Sequence, residues 1–324
     1  MNVLFICPLF HEYYKKIINI VEEKGNNVHY YPTDNLKLSV VEQFIRKIST
    51  SSLSKRYNDY IENIIETERN FVIDEVVVIY GGLYFKKEHF IKLKRTFKNA
   101  KFIYYTWDSV SNCKNIQTYY NLFDKFYSFD LIDCEKYGFE FLPLFYFDDN
   151  KINTIDVNYD YGILMTLGHL KYEKYLQVKK VLNPNFKSKE YLLMGSKSQY
   201  IYNYIRWHKY MKKINRSYIH YNPLPLASSS HFYDDCKAVV DIPLEGQNGL
   251  TIRTFEALRK QKKLITTNKN IVTYDFYTPN NIFIVDELHD KIPYDFFESR
   301  FDKNFMVGDK YSIYNFVRKL FELD

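Results

Sequence analysis

Apolar runs of strand length alternate with segments of helical periodicity from the first residue onward. This alternation is typical of βαβ units and a parallel sheet. In the first half, the apolar run Val3–Cys7 precedes a helical segment near His11–Lys24, and a second strand at Val28–Tyr31 follows the turn Gly25-Asn26-Asn27. Further strands are predicted at residues 75–80, 102–106, 125–129 and 141–146. The first half therefore predicts an α/β domain.

The alternation restarts after a stretch rich in Asp and Asn between Phe147 and Val157, which we interpret as a linker. Strands are predicted at residues 161–166, 191–194, 218–221, 238–242, 264–267 and 282–285, and an amphipathic helix at 312–323. The pattern predicts an α/β fold with two Rossmann-like doubly wound domains that face each other across a ligand cleft. The predicted domains are residues 1–150 and 151–309, followed by a terminal helix in residues 310–324.

Composition argues against several classes of protein. No window approaches the roughly 18 apolar residues that a membrane-spanning helix needs. The N-terminus has no basic leader ahead of its short apolar run, which argues against a signal peptide. The cysteines Cys7, Cys113, Cys134 and Cys236 are scattered and form no CxxC pair. We therefore interpret them as reduced thiols and expect a cytoplasmic protein.

Charge and aromatic content narrow the choice of partners only slightly. The net charge of +6 comes from lysines mixed with nearly as many acidic residues, without an arginine-rich stripe, which argues against nucleic-acid binding. The 32 tyrosines and 26 phenylalanines would suit a sugar-binding cleft or a membrane surface, but an A/T-rich coding sequence explains them at least as well. Peripheral contact with a membrane therefore stays open.

The segment Val239–Asn268 carries the strongest chemical signal. A buried strand runs into a polar loop containing Gly246 and Gly249, and a helix begins immediately afterwards. Glycines let the backbone approach a phosphate closely, and the free amides of a helix N-terminus attract an anion. Thr251, at the start of the helix, would either cap it or bind phosphate. The segment predicts a nucleotide-binding loop.

The helix that follows offers complementary charges at neighbouring positions of one face. Arg253 supplies a cation for a diphosphate, and Glu256, three residues later, supplies a carboxylate for ribose hydroxyls. The alternative interpretation is an ordinary strand-to-helix loop followed by a surface ion pair between these two residues.

This segment resembles the C-terminal domain of GT-B type glycosyltransferases, particularly bacterial enzymes of surface-polysaccharide synthesis and the CgeB-like group with a "glycosyl transferases group 1" domain. The resemblance rests on Gly249-Leu250, Phe255-Glu256-Ala257-Leu258, Leu264-Ile265-Thr266-Thr267-Asn268 and, in the first half, Tyr104–Ser109 and the segment 123–133. It implies that Glu256 holds the donor ribose. It also leads us to expect, by analogy with related folds, that the final helix packs back on the first domain.

Together, the pattern and the resemblance define a donor-nucleotide site. Its residues are Glu245, Asn248, Gly249, Leu250, Thr251, Arg253 and Glu256. Retaining members of these families usually carry two glutamates separated by seven residues, whereas Glu245 and Glu256 are separated by ten. The choice between retention and inversion therefore stays open.

Two residues of the first domain are candidates for the catalytic base of an inverting enzyme. Asp108 and His11 each follow a predicted strand at its carboxyl end, where a doubly wound sheet collects functional groups. Helix N-capping is the alternative for Asp108, and a surface position is the alternative for His11. No Asp-x-Asp motif follows a mid-domain strand, so we expect no metal and no other cofactor. Arg253, with Lys174 or Arg206, would then neutralise the diphosphate.

The sequence thus predicts a cytoplasmic glycosyltransferase, at the inner face of the cell membrane if it makes peripheral contact. It would move a sugar from a nucleotide-sugar donor to a glycan or lipid-linked acceptor in capsule or lipopolysaccharide synthesis. The alternative is a non-catalytic nucleotide- or sugar-binding protein with the same two lobes.

Overall fold

The computed structural model describes residues 1–9, 12–33, 51–80, 85–113, 116–147, 156–225, 228–229, 231–286 and 291–323. The chain divides into two compact units. Unit 1 comprises Met1–Pro143 and Ile313–Asp324, and unit 2 comprises Leu144–Ser312. The domain boundary predicted at residues 150 and 151 lies outside the described residues. None of the described helices combines the length and the apolar character that crossing a bilayer requires.

Unit 1 is built on a parallel sheet with six described strands. They are β1 (Asn2–Cys7), β2 (Asn27–Pro32), β3 (Glu75–Ile79), β4 (Lys101–Thr106), β5 (Lys125–Ser128) and β6 (Glu140–Phe141). Their order is β2-β1-β3-β4-β5-β6, and every neighbouring pair is parallel. Strand β3 is buried at all its positions, as expected for a sheet covered on both faces. The last strand is shorter than predicted, because pairing stops at Phe141.

Helices connect and cover these strands. In unit 1 they are Tyr13–Glu23, Ser51–Glu68, Lys87–Thr96, Leu131–Tyr137 and Ile313–Leu320, with a 3₁₀ helix at Ile116–Leu122. Local chemistry sets the ends of the helix that follows β5. The Asp130 side chain accepts hydrogen bonds from the backbone N–H groups of Ile132 and Asp133, which caps the N-terminus. Gly138, with φ of 77°, ends the helix in the left-handed conformation that glycine adopts without steric cost.

The final helix, Ile313–Leu320, belongs to unit 1 although the chain has passed through unit 2 before reaching it. Its apolar side is buried, and the ring of the following Phe321 lies 5.4 Å from the ring of Phe5 in β1. Glu322 forms an ion pair with Lys125 at 2.6 Å. The end of the chain therefore completes the core of the first sheet.

Unit 2 is built on a second parallel sheet with six described strands. They are β7 (Tyr159–Thr166), β8 (Ser188–Leu193), β9 (Ile219–His220), β10 (Cys236–Asp241), β11 (Lys263–Thr266) and β12 (Ile282–Ile284). Their order is β12-β11-β10-β7-β8-β9. Read from the β9 edge, this is the 3-2-1-4-5-6 order of dinucleotide-binding Rossmann domains. The strand order reverses between β7 and β10, and the ligand crevice of such sheets lies at the carboxyl ends of the strands at that reversal.

The helices of unit 2 flank this sheet. The α-helices described are Tyr172–Val181, Lys197–Arg206, His208–Met211, Ile252–Arg259 and Tyr294–Glu298, and the 3₁₀ helices are His169–Lys171, Arg216–Tyr218, Lys269–Thr273, Lys303–Phe305 and Asp309–Tyr311. The two ends of unit 2 meet each other. Tyr146 forms a parallel bridge with Ser312, and its hydroxyl donates a hydrogen bond to Asp309 at 3.2 Å. The predicted α/β fold with two doubly wound parallel sheets is confirmed.

Removing the Phe321 ring should weaken unit 1 strongly. Phe321 is fully buried, so Phe321→Ala leaves a cavity in the core, and we expect the free energy of unfolding to fall by about 3–5 kcal/mol. Tyr314→Ala, on the helix that precedes Phe321, is the matched control, because Tyr314 is 39% exposed and its loss should cost less than about 1 kcal/mol. Chemical denaturation of both variants tests this, and equal losses would contradict it.

Candidate functional site

The predicted nucleotide-binding loop lies at the reversal of strand order in unit 2. Strand β10 ends at Asp241, and residues 242–250 lead to Thr251, the N-cap of helix Ile252–Arg259. Strand β7, the neighbour of β10 across the reversal, ends at Thr166 and is followed by the short helix His169–Lys171. Because parallel strands bring their carboxyl ends to the same edge, the two connections lie side by side.

A buried carboxylate holds the start of the helix against the strand. The Asp241 side chain is 2% exposed and accepts three hydrogen bonds. Its Oδ2 atom accepts from the hydroxyls of Thr251 at 2.6 Å and Thr254 at 3.0 Å, and its Oδ1 atom accepts from the Arg253 guanidinium at 2.8 Å. A charge buried this deeply needs such partners, because an unpaired carboxylate would be strongly destabilising. Sequence reasoning gave Asp241 no role, although an aspartate closing a buried strand before a polar loop was visible.

The hydrogen bonds to Asp241 fix the orientations of the Thr251 and Arg253 side chains. The Thr251 hydroxyl donates to Asp241, and its oxygen caps the helix by accepting from the Thr254 amide at 3.4 Å. Thr251 was predicted either to cap the helix or to bind phosphate, and in the structure it caps the helix. Arg253, predicted to bind the diphosphate, is anchored to Asp241 through one nitrogen and keeps 27% of its side chain exposed. Its remaining N–H donors are the ones that a ligand would contact.

Asparagines that follow β11 fix the shape of the loop. The Asn268 side-chain amide donates to the carbonyl oxygens of Asn248 at 3.0 Å and Gly249 at 3.2 Å, and the Asn270 amide donates to the same Asn248 oxygen at 3.2 Å. Gly246 adopts φ of 77°, a conformation that other residues adopt only with strain. The backbone carbonyls of the predicted site residues Asn248 and Gly249 are therefore engaged within unit 2.

The other two predicted loop residues differ in exposure. Leu250 is almost completely buried and anchors the end of the loop. Glu245 is exposed, and no hydrogen bond or ion pair with a described residue engages its carboxylate. Glu245 is thus accessible to a ligand but is not oriented by its surroundings.

Glu256, on the same helix, is a partly buried acidic residue. Its side chain is half-buried, yet within the described part of the chain no hydrogen bond or ion pair engages its carboxylate. Burial raises the pKa of Glu256 to about 7, although the positive charges of Lys260 and Arg253 act in the opposite direction. A carboxylate kept in a poorly solvated position without a partner is suited to bind a ligand that supplies hydrogen-bond donors.

A lysine from the adjacent connection lies close to this helix. Lys171 ends the short helix after β7 and interacts electrostatically with Arg253 and Asp241. Burial lowers the pKa of Lys171 to about 8, the charges of Arg253 and Lys174 act in the same direction, and Asp241 opposes them. No described residue forms an ion pair with its ammonium group. The sequence analysis did not select Lys171. Its position three residues after Gly168, behind a predicted strand, could have indicated a residue near the ligand crevice.

The other proposed cations lie elsewhere. Lys174 is half-buried on helix Tyr172–Val181, one turn beyond Lys171. Arg206 is exposed, and its guanidinium lies 5.1 Å from the centre of the Trp207 ring. Lys171 and Arg253 are therefore the interacting cations that lie on the two connections at the strand reversal, and Lys174 acts on Lys171 from the next turn.

Unit 1, taken by itself, contains one described residue that was predicted as a catalytic base. Asp108 follows β4 in a turn, and its backbone N–H donates to the Thr106 hydroxyl at 3.3 Å. Burial raises the pKa of Asp108 above its ordinary value, and a hydrogen bond from the Cys113 thiol partly offsets this. No described α-helix begins at Asp108, so helix N-capping does not explain it. His11, the other predicted base, lies outside the described residues. No metal-binding group of three or more His, Cys, Asp or Glu residues occurs in the described ranges.

The two sheets define a GT-B type fold, in which two Rossmann-like α/β domains are carried by one chain. Comparison with solved structures finds proteins with a similar fold. Anabaena HepE (Alr3699), in complex with UDP and glucose, matches with a TM-score of 0.56 and 9% sequence identity, over 99% of this chain and 95% of HepE. The spinosyn rhamnosyltransferase SpnG, in complex with thymidine diphosphate, matches over the same shares with a TM-score of 0.47 and 8% identity. No protein-family model and no curated protein matches this sequence.

The raised pKa of Glu256 predicts a specific pH dependence of stability. A carboxyl group whose pKa is about 7 when folded and near 4.5 when unfolded stabilises the fold fully below about pH 4.5, and this contribution is lost as the pH rises through 7. Glu256→Gln should therefore be more stable than the wild type at about pH 8, by on the order of 2 kcal/mol, with little difference at about pH 4.5.

Urea unfolding at a series of pH values measures this difference. Glu245→Gln is the control, because Glu245 is exposed in the loop that leads into the same helix, and its curve should follow the wild type. A Glu256→Gln curve that ran parallel to the wild type would mean that Glu256 ionises as it does in the unfolded chain.

Proposed function

We propose that this protein is a glycosyltransferase that moves a sugar from a nucleotide-sugar donor to an acceptor hydroxyl. The observation that carries the proposal is the pair of charged groups Glu256 and Lys171, which form no hydrogen bond or ion pair with a described side chain and lie at the strand reversal of a sheet with Rossmann order. A nucleoside diphosphate carries both complementary groups, because its ribose has hydroxyl donors and its diphosphate is anionic. The binding of UDP and glucose by HepE, a structure with the same class of fold, supports this assignment.

In this proposal the donor nucleotide binds to unit 2. The Glu256 carboxylate accepts hydrogen bonds from the ribose hydroxyls, and the diphosphate lies near Lys171 and the outward N–H groups of Arg253. The first amides of helix Ile252–Arg259 add the positive end of the helix dipole. These groups stabilise the negative charge that develops on the departing diphosphate, which is the role that a metal ion has in other sugar transferases. We therefore propose a metal-independent reaction.

The acceptor is proposed to bind to unit 1, with Asp108 as the general base. Burial raises the pKa of Asp108, which brings its basicity closer to what proton abstraction at neutral pH needs. His11 remains the other proposed base. We further propose that the acceptor is a glycan or a lipid-linked saccharide of bacterial capsule or lipopolysaccharide synthesis, and that the protein acts in the cytoplasm at the inner face of the membrane.

The proposed contacts of Glu256 with the ribose and of Lys171 with the diphosphate can be tested separately. Thermal unfolding of the full chain with a panel of nucleoside diphosphates and the matching nucleosides should find one diphosphate that raises the melting temperature, because a ligand specific to the folded state stabilises it. Glu256→Gln should weaken binding of both the nucleoside and its diphosphate by about 10–100-fold, and Lys171→Met should weaken binding of the diphosphate alone by a similar factor.

The control for these variants is Lys180→Met, which changes an exposed lysine near the C-terminus of helix Tyr172–Val181. Its affinity for the diphosphate should equal that of the wild type. The donor-site assignment fails if no diphosphate stabilises the protein, or if Lys171→Met weakens nucleoside binding as much as diphosphate binding.

The assignment of Asp108 as the base is tested by slow hydrolysis of the nucleotide-sugar, with water as acceptor. Asp108→Asn should lower kcat by about 10²–10⁴-fold and leave the donor affinity unchanged. Asp59→Asn, at an exposed position of helix Ser51–Glu68, should retain full activity. Tight nucleotide binding without hydrolysis or transfer by the wild type would instead support the non-catalytic binding protein.

A further inference from the structure

One segment of unit 2 combines positive charge with exposed apolar side chains. Between Glu190 and Asp234 the sequence contains six lysine and arginine residues and no acidic residue. The six cations are Lys197, Arg206, Lys209, Lys212, Lys213 and Arg216, and all of them are exposed. They belong to helix Lys197–Arg206, helix His208–Met211, the turn that follows and the 3₁₀ helix Arg216–Tyr218. A chain with 39 acidic residues in total places none of them here.

The outward side of helix Lys197–Arg206 is apolar. Ile201 is 59% exposed, Tyr202 is 64% exposed and Ile205 is 75% exposed. Ile201 and Ile205 are four residues apart and so lie one turn apart on the same side of the helix. The opposite side is anchored in the unit, with Asn203 buried and Tyr200 packed against the core. We call this surface, with its flanking cations, the Ile205 face.

Two of these cations lie beside aromatic rings of the same segment. The Arg216 guanidinium lies 5.5 Å from the centre of the Tyr200 ring, and the Lys209 ammonium lies 4.5 Å from that of Tyr210. One acidic residue approaches from a neighbouring helix: Glu173 accepts a hydrogen bond from the Tyr210 hydroxyl at 3.4 Å. Among the described contacts of the segment, this carboxylate faces six exposed cations, so the Ile205 face keeps a net positive charge.

We propose that the Ile205 face docks the protein on a membrane that contains anionic lipids. Exposed lysines and arginines are attracted by the negative surface potential of such a membrane, and exposed isoleucine and tyrosine side chains partition into its interfacial layer. RNA would satisfy the cations and the tyrosine rings equally well. It offers no environment for Ile201 and Ile205, however, which are the residues that favour a lipid surface.

The Ile205 face adjoins the candidate donor site. The ring of Trp207, just after the helix, stacks on the ring of His169 at 5.3 Å, and His169 begins the short helix that ends in Lys171. Docking through this face would hold the donor site of unit 2 close to the lipid headgroups. The inference does not depend on the proposed transfer reaction, because it rests only on the charge and exposure of the face.

Sedimentation of the full chain with lipid vesicles tests the proposal. The protein should bind vesicles of equimolar phosphatidylcholine and phosphatidylglycerol and should not bind phosphatidylcholine alone. Lys212→Gln with Lys213→Gln should weaken binding about 25-fold, at about fivefold for each charge removed. Ile201→Ser with Ile205→Ser should weaken it about tenfold, because less apolar surface leaves water. Raising the salt concentration should weaken binding by the wild type.

The matched control is Lys180→Gln with Lys187→Gln, which removes two exposed lysines outside the Ile205 face, one near the end of helix Tyr172–Val181 and one just before β8. Its vesicle affinity should stay within about twofold of the wild type, because a charge far from the surface is screened. All three double variants should keep the wild-type melting temperature and its response to nucleoside diphosphates.

Three results would overturn the proposal. The first is equal binding to both kinds of vesicle. The second is an equal loss of affinity in the control. The third is a single-stranded RNA that binds more tightly than anionic vesicles and is insensitive to the two isoleucine changes, which would identify the face as a nucleic-acid surface. A failure of nucleotide binding would leave these measurements unaffected, so the two proposals fail separately.

Discussion

The buried carboxylate of Asp241 links the end of β10 to the first turn of helix Ile252–Arg259, and the position of every predicted donor contact on that helix depends on this link. Two hydroxyls and a guanidinium donate hydrogen bonds to the Asp241 carboxylate and stabilise its negative charge. Because the hydrogen bonds come from the first turn, they fix where the helix begins and how it is rotated. Glu256, one turn further along the helix, is thereby held in place although no hydrogen bond or ion pair from a described residue engages its carboxylate.

The same region contains two charged groups that no described residue engages in a hydrogen bond or ion pair. Burial raises the pKa of Glu256 and lowers that of Lys171, so each group has a cost in the free protein that a better-packed surface would avoid. The two groups have opposite charge and lie on the two connections that flank the strand reversal. A ligand with hydroxyl donors and an anionic group would relieve both costs at once. Instability of the free site and affinity for the ligand thus have a common origin.

Much of the fold could be predicted because both sheets are parallel, so their strands appear as continuous apolar runs, as Val76 to Ile79 illustrate. The sixth strand was predicted too long because the apolar run continues through Phe145 and Tyr146. These two side chains are buried in unit 2 and do not extend the sheet of unit 1. In the candidate site, local spacing selected Arg253 and Glu256, and their roles in binding stay predictions. Lys171 could not be found in this way, because its proximity to them results from the pairing of β7 with β10.

The path of the chain makes unit 2 an insertion into unit 1, entered after Pro143 and left before Ile313. During synthesis on the ribosome, all of unit 2 emerges before the segment that fills the last part of the unit 1 core. Unit 2 can therefore reach its native state while unit 1 still lacks Phe316 and Phe321. Loss of residues 313–323 would therefore leave unit 2 complete and unit 1 without part of its core, so a cut in this segment separates the stability of the two units.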